Sequence, residues 1–200
     1  METPENKNPN SSPTSFLKSF FIFIWDLAKI FVVALVIIVP FRTFVAEPFV
    51  VSGNSMLPNF HNKDYLVVDR LSYRASVVKR GDVIVLRPPQ RQGEFFIKRI
   101  IGLPGETVKV FQGQVYVINE QNPQGVKLDE NYLPEHLQTL PNITQKLGSA
   151  EYYVFGDNRM QSSDSRSWGI LPKENIIGKV WLTVYSQGKL EFKLFKTPSY

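Results

Sequence analysis

The chain has 200 residues, of which 43% are hydrophobic, so it can bury the core of one sizeable domain, or of one domain with a small insertion. It contains no cysteine, which excludes disulfides, thiol chemistry and the thiolate ligands of common zinc sites. The net charge of +5 is carried by lysines and arginines spread along the chain without a polybasic run, so nucleic acid is not an expected partner. The same charge is compatible with attraction to an anionic membrane surface.

The N-terminal part divides into a polar tail and an apolar segment. The first fifteen residues are rich in Asn, Pro, Ser and Thr, and residues 1-19 are predicted to form a disordered cytoplasmic tail. Residues 20-41 are long and apolar enough to cross a bilayer as a single transmembrane helix. Asp26 and Lys29 lie three residues apart in this segment and are expected to pair on one helical face, with Trp25 as an interfacial anchor.

The apolar segment has two other interpretations, a cleaved signal peptide and an amphipathic surface helix. A signal peptide has a shorter apolar core that ends in small residues at a cleavage site, whereas this core runs into Pro40-Phe41-Arg42. The sequence therefore predicts a retained anchor. Lys7, Lys18 and Lys29 on one side, against Arg42 on the other, give a weak positive-inside bias that places the N-terminus in the cytoplasm.

Beyond residue 46 the sequence predicts a mostly β fold. Short segments rich in Val, Ile, Phe and Tyr are separated by Gly and Pro, and there is no helical period of useful length. The predicted strands are 49–51, 65–69, 82–86, 95–101, 107–111, 114–118, 152–155 and 177–185. Residues 47-106 and 150-190 are expected to form one antiparallel β core, with residues 107-149 inserted as a small subdomain of a β hairpin and a polar loop.

A candidate nucleophile lies in the turn Val51-Ser-Gly-Asn-Ser-Met-Leu-Pro58. A serine hydroxyl is a weak nucleophile that needs an adjacent base, and histidine is the usual one. The two histidines, His61 and His136, lie in a loop and in the polar insertion without an evident Asp partner. A Ser-His-Asp triad is therefore not expected, and Ser55 requires another base.

Lys98 is the remaining candidate for that base. It lies in the apolar strand 95–101, where alternation places it on one face with Phe96 and Ile100, and places Arg99 on the other face. Burial among apolar side chains can lower a lysine pKa by roughly 3–5 units, which makes the amine able to accept a proton. The alternative is an edge strand whose lysine reaches out to water. The strand alone does not decide between the two.

A second polar cluster, the loop from Gly156 to Gly169, directly follows a predicted strand. Its fourteen residues include four serines, two aspartates and two arginines. An ordinary surface loop and a rigid, hydrogen-bonded loop that orients a base are both compatible with this composition.

Four segments together resemble one family. They are Glu47-Pro-Phe-Val-Val-Ser-Gly-Asn-Ser-Met-Leu-Pro58, Gly81-Asp-Val-Ile-Val85, Lys98-Arg-Ile-Ile-Gly-Leu-Pro-Gly105 and the loop from Gly156 to Gly169. Type I signal peptidases have similar segments in the same order, so most of the chain from 47 to 185 closely resembles that family. The resemblance implies a membrane-bound serine endopeptidase that removes N-terminal signal peptides from exported preproteins by a Ser/Lys dyad, cutting after small residues of the A-x-A type. It also implies a single-pass protein of the plasma or thylakoid membrane with its catalytic domain on the outer face, partners that are signal peptides and the lipid bilayer, and no metal or cofactor.

The resemblance further implies a role for each matching residue. Ser55 matches the nucleophile, Lys98 the general base, and Ser162 the serine that hydrogen-bonds and orients the lysine. Asp164 and Arg166 match a structural salt bridge beneath the site. The other matches are Asp157, Asn158 and Arg159, which shape the same loop, and three substrate-binding residues, Phe49 and Val51 as walls of shallow pockets and Met56 beside the serine. Backbone N–H groups around Ser55 would hold the oxyanion.

Two positions depart from the family pattern. Gly53 stands where some members have a serine that donates to the oxyanion, and Asn59 stands where Thr is usual. The region between residues 104 and 152 is shorter than in the large two-domain members, so a reduced second β subdomain is expected. A self-cleaving repressor-type Ser/Lys protease would share the chemistry but lacks an apolar anchor. A membrane-tethered β binding module is the other alternative, which covalent labelling of Ser55 would exclude.

Overall fold

The structure is a computed structural model that describes residues 13–40, 46–71, 78–91 and 93–198. The chain forms two compact units, Met1–Thr43 and Phe44–Tyr200. Residues 1–12 of the predicted tail, and Phe41 and Arg42 after the apolar segment, lie outside the described residues.

The first unit contains one long helix, α1 (Pro13–Pro40). Its span Lys18–Val39 has a mean hydropathy of 2.7, and 22 residues at about 1.5 Å each reach about 33 Å, more than the roughly 30 Å hydrocarbon core of a bilayer. By length and composition the helix can therefore cross a membrane. Asp26 and Lys29 form the predicted ion pair, at 2.9 Å. The helix begins earlier than predicted because Pro13 suits a first helical position, so residues 13–19 are helical rather than disordered.

The second unit consists of short strands and turns. In the described residues the strands are β1 (Ala46–Val50), β2 (Tyr65–Asp69), β3 (Val83–Leu86), β4 (Phe96–Gly102), β5 (Thr107–Phe111), β6 (Gln114–Ile118), β7 (Val126–Lys127), β8 (Ile143–Lys146), β9 (Glu151–Phe155), β10 (Leu171–Pro172), β11 (Ile176–Ser186) and β12 (Lys189–Leu194). One helical turn, α2 (Ser165–Trp168), follows β9, and a 3-10 turn (Lys173–Asn175) follows β10.

The strands form two antiparallel sheets. The larger sheet has the order β1-β2-β11-β3-β4-β9-β10, with β12 paired to β11, and the smaller sheet has the order β7-β6-β5-β8. Every pairing between neighbours is antiparallel. The predicted fold class, mostly β and antiparallel with one N-terminal apolar helix, is confirmed.

Strand β4 is fixed from both of its faces. Ile100 packs in a buried cluster with Ile84 and Val154 of the neighbouring strands. The next residue, Ile101, packs in a different cluster, which joins β9 to the smaller sheet. Because consecutive side chains are anchored in separate parts of the core, β4 holds the two residues before them, Lys98 and Arg99, in a defined position.

Candidate active site

Ser55 lies in the turn that follows β1. Gly53 has a φ of +96°, which glycine adopts without strain, and its N–H donates to Asn62 Oδ1 over 3.1 Å. Val51 and Met56 flank the serine and are 5% and 1% exposed, since their side chains pack in the core. Ser55 itself is only partly buried. Its hydroxyl is therefore presented by a turn that is fixed from the inside.

The loop after β9 is bonded to the backbone of the serine turn. Asn158 N–H donates to Ser55 O over 3.0 Å, and the Asn158 side chain donates to Asn54 O over 3.1 Å. A Cβ atom at Gly156 would lie 2.4 Å from Ser55 O and 2.1 Å from Ser162 Oγ. Only glycine at this position allows the loop to approach the serine turn so closely.

Lys98 reaches the serine from β4. Its Nζ donates to Ser55 Oγ over 2.9 Å and to Ile97 O over 2.8 Å. The residue is 3% exposed, and the centre of the Phe96 ring lies 5.0 Å from Nζ, on the face that alternation predicts. Because the lysine side chain is buried, the alternative of a lysine that reaches out to water is wrong.

Burial lowers the pKa of Lys98 from 10.5 to about 8, although the Asp164 and Asp157 carboxylates act in the opposite direction. At pH 7 about one amine in ten is then neutral, against about one in three thousand at the ordinary pKa. The shift costs about 3 kcal/mol of folding free energy at neutral pH, because the unfolded chain binds the proton more tightly. The free energy of unfolding should therefore rise with pH between about 8 and 10.5. A neutral amine at hydrogen-bond distance can take the proton of a hydroxyl.

Arg99 and Asp157 form a buried ion pair next to Lys98 on β4. Arg99 Nε and Nη2 donate to the two Asp157 oxygens over 2.8 and 2.6 Å, and Nη1 donates to Gly81 O over 2.9 Å. The two side chains are 1% and 0% exposed. Asn59 Nδ2 donates to Asp157 Oδ2 over 2.8 Å, which connects the ion pair to the serine turn. Asn59, which stands where Thr is usual in the family, thus donates an amide hydrogen bond to a buried carboxylate.

Asp164 and Arg166 close the loop on itself. Arg166 Nε and Nη2 donate to Asp164 over 2.8 and 2.7 Å, so the salt bridge that the resemblance implies is present. Asp164 also accepts from Gly156 N–H over 2.9 Å and caps α2 through Arg166 N–H. Arg166 Nη1 donates to Arg159 O over 2.8 Å. The Asp164 carboxylate therefore holds both Gly156, at the start of the loop, and Arg166, near its end.

Arg159 binds the loop to the smaller sheet's long connection, a contact that the sequence analysis missed. Its Nη1 and Nη2 donate to Glu130 over 3.1 and 2.5 Å, and Nη1 also donates to Thr139 Oγ1. Tyr132 OH donates to Glu130 Oε1 over 2.7 Å, and Tyr132 O accepts from Asn59 Nδ2 over 2.9 Å. These partners lie in a polar, unpatterned stretch, so no periodicity could indicate them.

Ser162 does not make the hydrogen bond that the resemblance implies. Its Oγ is buried and has no hydrogen-bond partner among the residues that the structure describes. Lys98 Nζ donates instead to Ser55 and to the Ile97 carbonyl. Ser162 nevertheless lies against Gly156 and so belongs to the same cluster of side chains.

An open cleft passes along Ser55 and Lys98. Its other lining residues are Phe49, Val50, Val51, Ser52, Gly53, Asn54, Leu66, Val85, Phe95, Phe96, Ile97, Gln161 and Ser163. Among the residues that the structure describes, β1 pairs on one edge only, and the first residues of β4 pair with β3 but not with β9. Two backbone edges without a described partner strand therefore border the cleft. Met56, expected beside the serine as a substrate contact, is not among the lining residues because the turn directs its side chain into the core.

The two histidines do not join this cleft. His61 lies 4.0 Å from Asp64 and contacts Gln187, and His136 is exposed. Neither histidine lines the cleft that contains Ser55. Within the described ranges, no group of three or more His, Asp or Glu side chains is placed to hold a metal ion.

Comparisons of the sequence with known proteins show one family. The family model described as signal peptidase, peptidase S26, matches residues 24–185. The probable signal peptidase I-1 of Synechocystis sp. is 39% identical over 179 residues, which cover 86% of this chain and 84% of that protein. The signal peptidase I of Leptolyngbya laminosa is 34% identical over 208 aligned positions, which cover 100% and 98% of the two chains. A crystal structure of a signal peptidase I from Enterococcus faecalis, 28% identical, matches 52% of this chain and 97% of that chain with a TM-score of 0.44.

The matches first show the class of the enzyme, which is a serine peptidase and therefore a hydrolase. More particularly, the chain belongs to the signal peptidase family, peptidase S26, which confirms the resemblance of the four sequence segments.

Proposed function

We propose that this chain removes N-terminal signal peptides from exported preproteins, with Ser55 as nucleophile and Lys98 as general base. The observation that carries the proposal is the 2.9 Å hydrogen bond between Lys98 Nζ and Ser55 Oγ. The lysine is buried and its pKa is lowered to about 8, as a base that works near neutral pH requires. The family match and the names of the relatives support the substrate class.

In this mechanism neutral Lys98 takes the Ser55 proton while Oγ attacks the scissile carbonyl. The resulting lysinium gives its proton to the leaving amine, which departs with the mature protein and leaves the signal peptide as an ester on Ser55. Lys98 then takes a proton from water, which attacks the ester, and the lysinium returns this proton to Ser55 Oγ as the signal peptide leaves with a free C-terminal carboxylate. Because Gly53 N–H already donates to Asn62, we assign the oxyanion to the backbone N–H of Ser55.

Substrate recognition is assigned to the two unpaired strand edges that border the cleft. An extended peptide can add between β1 and the start of β4 by backbone hydrogen bonds, which tolerate many sequences. Phe49 and Val51 line the cleft from alternate positions of one chain segment, and the core residues Leu66 and Val85 line it as well. Walls of bulky apolar side chains leave room only for small residues, so the cut is expected after A-x-A sequences.

Ser162 keeps the role of orienting Lys98. A buried hydroxyl without a partner costs roughly 1–3 kcal/mol, so a hydrogen bond from the lysinium formed during turnover would relieve it. Asp157, Asn158, Arg159, Asp164 and Arg166 are assigned the supporting role of holding the loop against the serine turn.

Helix α1 is proposed as a transmembrane anchor with a cytoplasmic N-terminus, in a plasma or thylakoid membrane. Its length and hydropathy support a membrane span, and the lysines near its start support the orientation. The β unit would then act on the outer face, where signal peptides are released.

The full chain, purified in detergent, is expected to cut a preprotein with an Ala-x-Ala sequence at a single bond, which mass spectrometry of the products would locate. Replacing the alanine just before that bond with leucine should lower kcat/KM about 10- to 100-fold, because the larger side chain overfills its pocket.

The matched control is leucine at the second position before the bond. Side chains of an extended strand alternate, so this residue points away from the pocket and should change kcat/KM little. Equal loss at both positions would contradict the pocket assignment. Absence of cleavage by the wild-type protein would contradict the proposed function and favour the binding-module alternative.

A further inference from the structure

Arg99 follows the base Lys98 on β4, and its guanidinium is enclosed by aromatic rings as well as by polar partners. Its donors are engaged by the Asp157 carboxylate and by Gly81 O. The guanidinium carbon lies 3.9 Å from the centre of the Tyr132 ring and 5.4 Å from that of the Phe195 ring. We propose that Tyr132 and Phe195 are positioning residues, which hold Arg99 on Asp157 and thereby hold Lys98 at Ser55.

Tyr132 reaches Arg99 from the connection between β7 and β8 and is held at two points. Its backbone O accepts from Asn59 of the serine turn, and its OH donates to Glu130. Glu130 in turn holds Arg159 through two hydrogen bonds. The Tyr132 ring therefore contacts Arg99 on β4. The Tyr132 backbone O is bonded to the serine turn, and the Tyr132 hydroxyl is bonded to Glu130, which holds the loop after β9 through Arg159.

Phe195 comes from the C-terminal segment, which lies beyond residue 185, where the family match ends. Its N–H donates to Trp181 O over 3.0 Å, and its ring packs 5.6 Å from the Phe60 ring. Two residues later, Thr197 Oγ1 donates to Asp82 Oδ1 over 2.6 Å. Hydrogen bonds at Phe195 and at Thr197 therefore hold this segment, and the Phe195 ring with it, in a defined position.

The rings also limit access of water to the ion pair. A pocket of about 360 Å³ lined by Asn59, Phe60, Tyr132 and Phe195 extends as far as Arg99, whose side chain is only 1% exposed. Shortening either ring widens this pocket towards the guanidinium. When water reaches the ion pair, Asp157 holds Arg99, and with it β4, less firmly. Arg99 then compensates less of the negative charge of Asp157.

The effect on Lys98 has a defined direction. The charged groups that act on it are Asp157 and Asp164, each paired with an arginine, Arg99 and Arg166. When Arg99 leaves Asp157, the bare carboxylate favours the protonated lysine, and entry of water removes part of the desolvation that lowers its pKa. Both changes raise the pKa, so the acidic limb of the pH–activity profile moves to higher pH.

The inference rests on the proposed Ser/Lys mechanism, and the experiment separates the two. Full-length wild type, Ser55→Ala, Tyr132→Ala, Tyr132→Phe, Phe195→Ala and Phe192→Ala are assayed for preprotein cleavage in detergent from pH 6 to 10. Phe192 is the matched control, since it is a phenylalanine of the same segment that is 68% exposed. If wild type fails to cut, or Ser55→Ala still cuts, it is the proposed function that fails.

For Tyr132→Ala and Phe195→Ala we expect the acidic midpoint to rise by about one unit, which lowers kcat/KM at pH 7 about tenfold. Tyr132→Phe keeps the ring and should stay near the wild-type midpoint, as should Phe192→Ala. If an alanine variant does not fold, Phe195→Leu and Tyr132→Leu keep apolar volume without the ring and should shift the midpoint in the same direction. An active alanine or leucine variant of Tyr132 or Phe195 with the wild-type midpoint, whatever its loss of folded protein, would overturn the inference.

Discussion

Lys98→Met is expected to abolish most preprotein cleavage and at the same time to make the protein more stable. A general base contributes about 10²–10⁴ to the rate, and this lysine would also supply the proton for the leaving amine, so kcat/KM should fall by about 10³ or more. The free energy of unfolding at pH 7 should rise by about 1–2 kcal/mol, because the buried amine costs folding energy there and methionine does not. Cleavage kinetics together with denaturant unfolding of the full chain measure the two effects.

The combination of lost activity and gained stability excludes unfolding as the cause. Ser55→Ala should lose at least as much activity, and the double variant should be no worse than the single ones, since the two residues act as a unit. Lys146→Ala, at an exposed strand lysine of the smaller sheet, is the matched control and should behave as wild type. Cleavage by Lys98→Met at more than a tenth of the wild-type rate would assign the base to another group.

The wild-type rate is expected to rise with pH through about 8, the pKa of Lys98. The lysine must be neutral to accept the serine proton, so activity is low below this pKa and reaches a plateau above it. An acidic limb near pH 6.5 would instead indicate a histidine.

Asp157→Ala is expected to cause the largest loss of stability of any single substitution considered for this chain, about 3–5 kcal/mol. The change leaves the Arg99 charge buried without its partner, at a position that is 1% exposed. For a chain of this size the melting temperature should fall by roughly 10 °C, which calorimetry or circular dichroism of the β unit's unfolding in detergent would measure.

An exposed ion pair provides the control for this prediction. Arg91 and Glu94 lie 3.5 Å apart and are 60% and 53% exposed, so Glu94→Ala should change the free energy of unfolding by less than about 1 kcal/mol. Replacing both Arg99 and Asp157 with apolar residues should cost less than Asp157→Ala alone, because no unpaired charge remains. Similar losses for Asp157→Ala and Glu94→Ala would contradict the buried, structural character of the pair.

The sequence predicts most of the strands because segments rich in Val, Ile, Phe and Tyr lie between Gly and Pro residues. Strands β5 and β6 have the predicted bounds, since each has five residues that alternate between the core and the surface. Strands β7 and β10 were not predicted because two residues carry no period. Strand β12 does alternate, in Lys-Leu-Glu-Phe-Lys-Leu, but all six residues are exposed, so the pattern there does not report burial. The alternation nevertheless indicates a strand at this position.

The site could be predicted only in part. Ser55 and Lys98 were singled out by chemistry and by resemblance, and the structure brings them together. The bonds from Asn59 to Tyr132 and from Arg159 to Glu130 join residues 73 and 29 positions apart, and the second partners lie in a stretch without periodicity. Polar networks of this kind depend on tertiary geometry, and one sequence does not encode that geometry in any local pattern. Met56 was misplaced for the same reason, since the direction of one side chain in a turn is set by the core beneath it.

The position of β11 has a consequence for the biosynthesis of the protein. Both members of the dyad are translated within the first half of the chain, yet β11 lies between β2 and β3 in the larger sheet and is the link that joins the serine side to the lysine side. A chain that ends before residue 176 therefore contains Ser55 and Lys98 but lacks the strand that connects their two sides of the sheet. If the two residues act as proposed, a chain truncated before β11 is expected to show no preprotein cleavage.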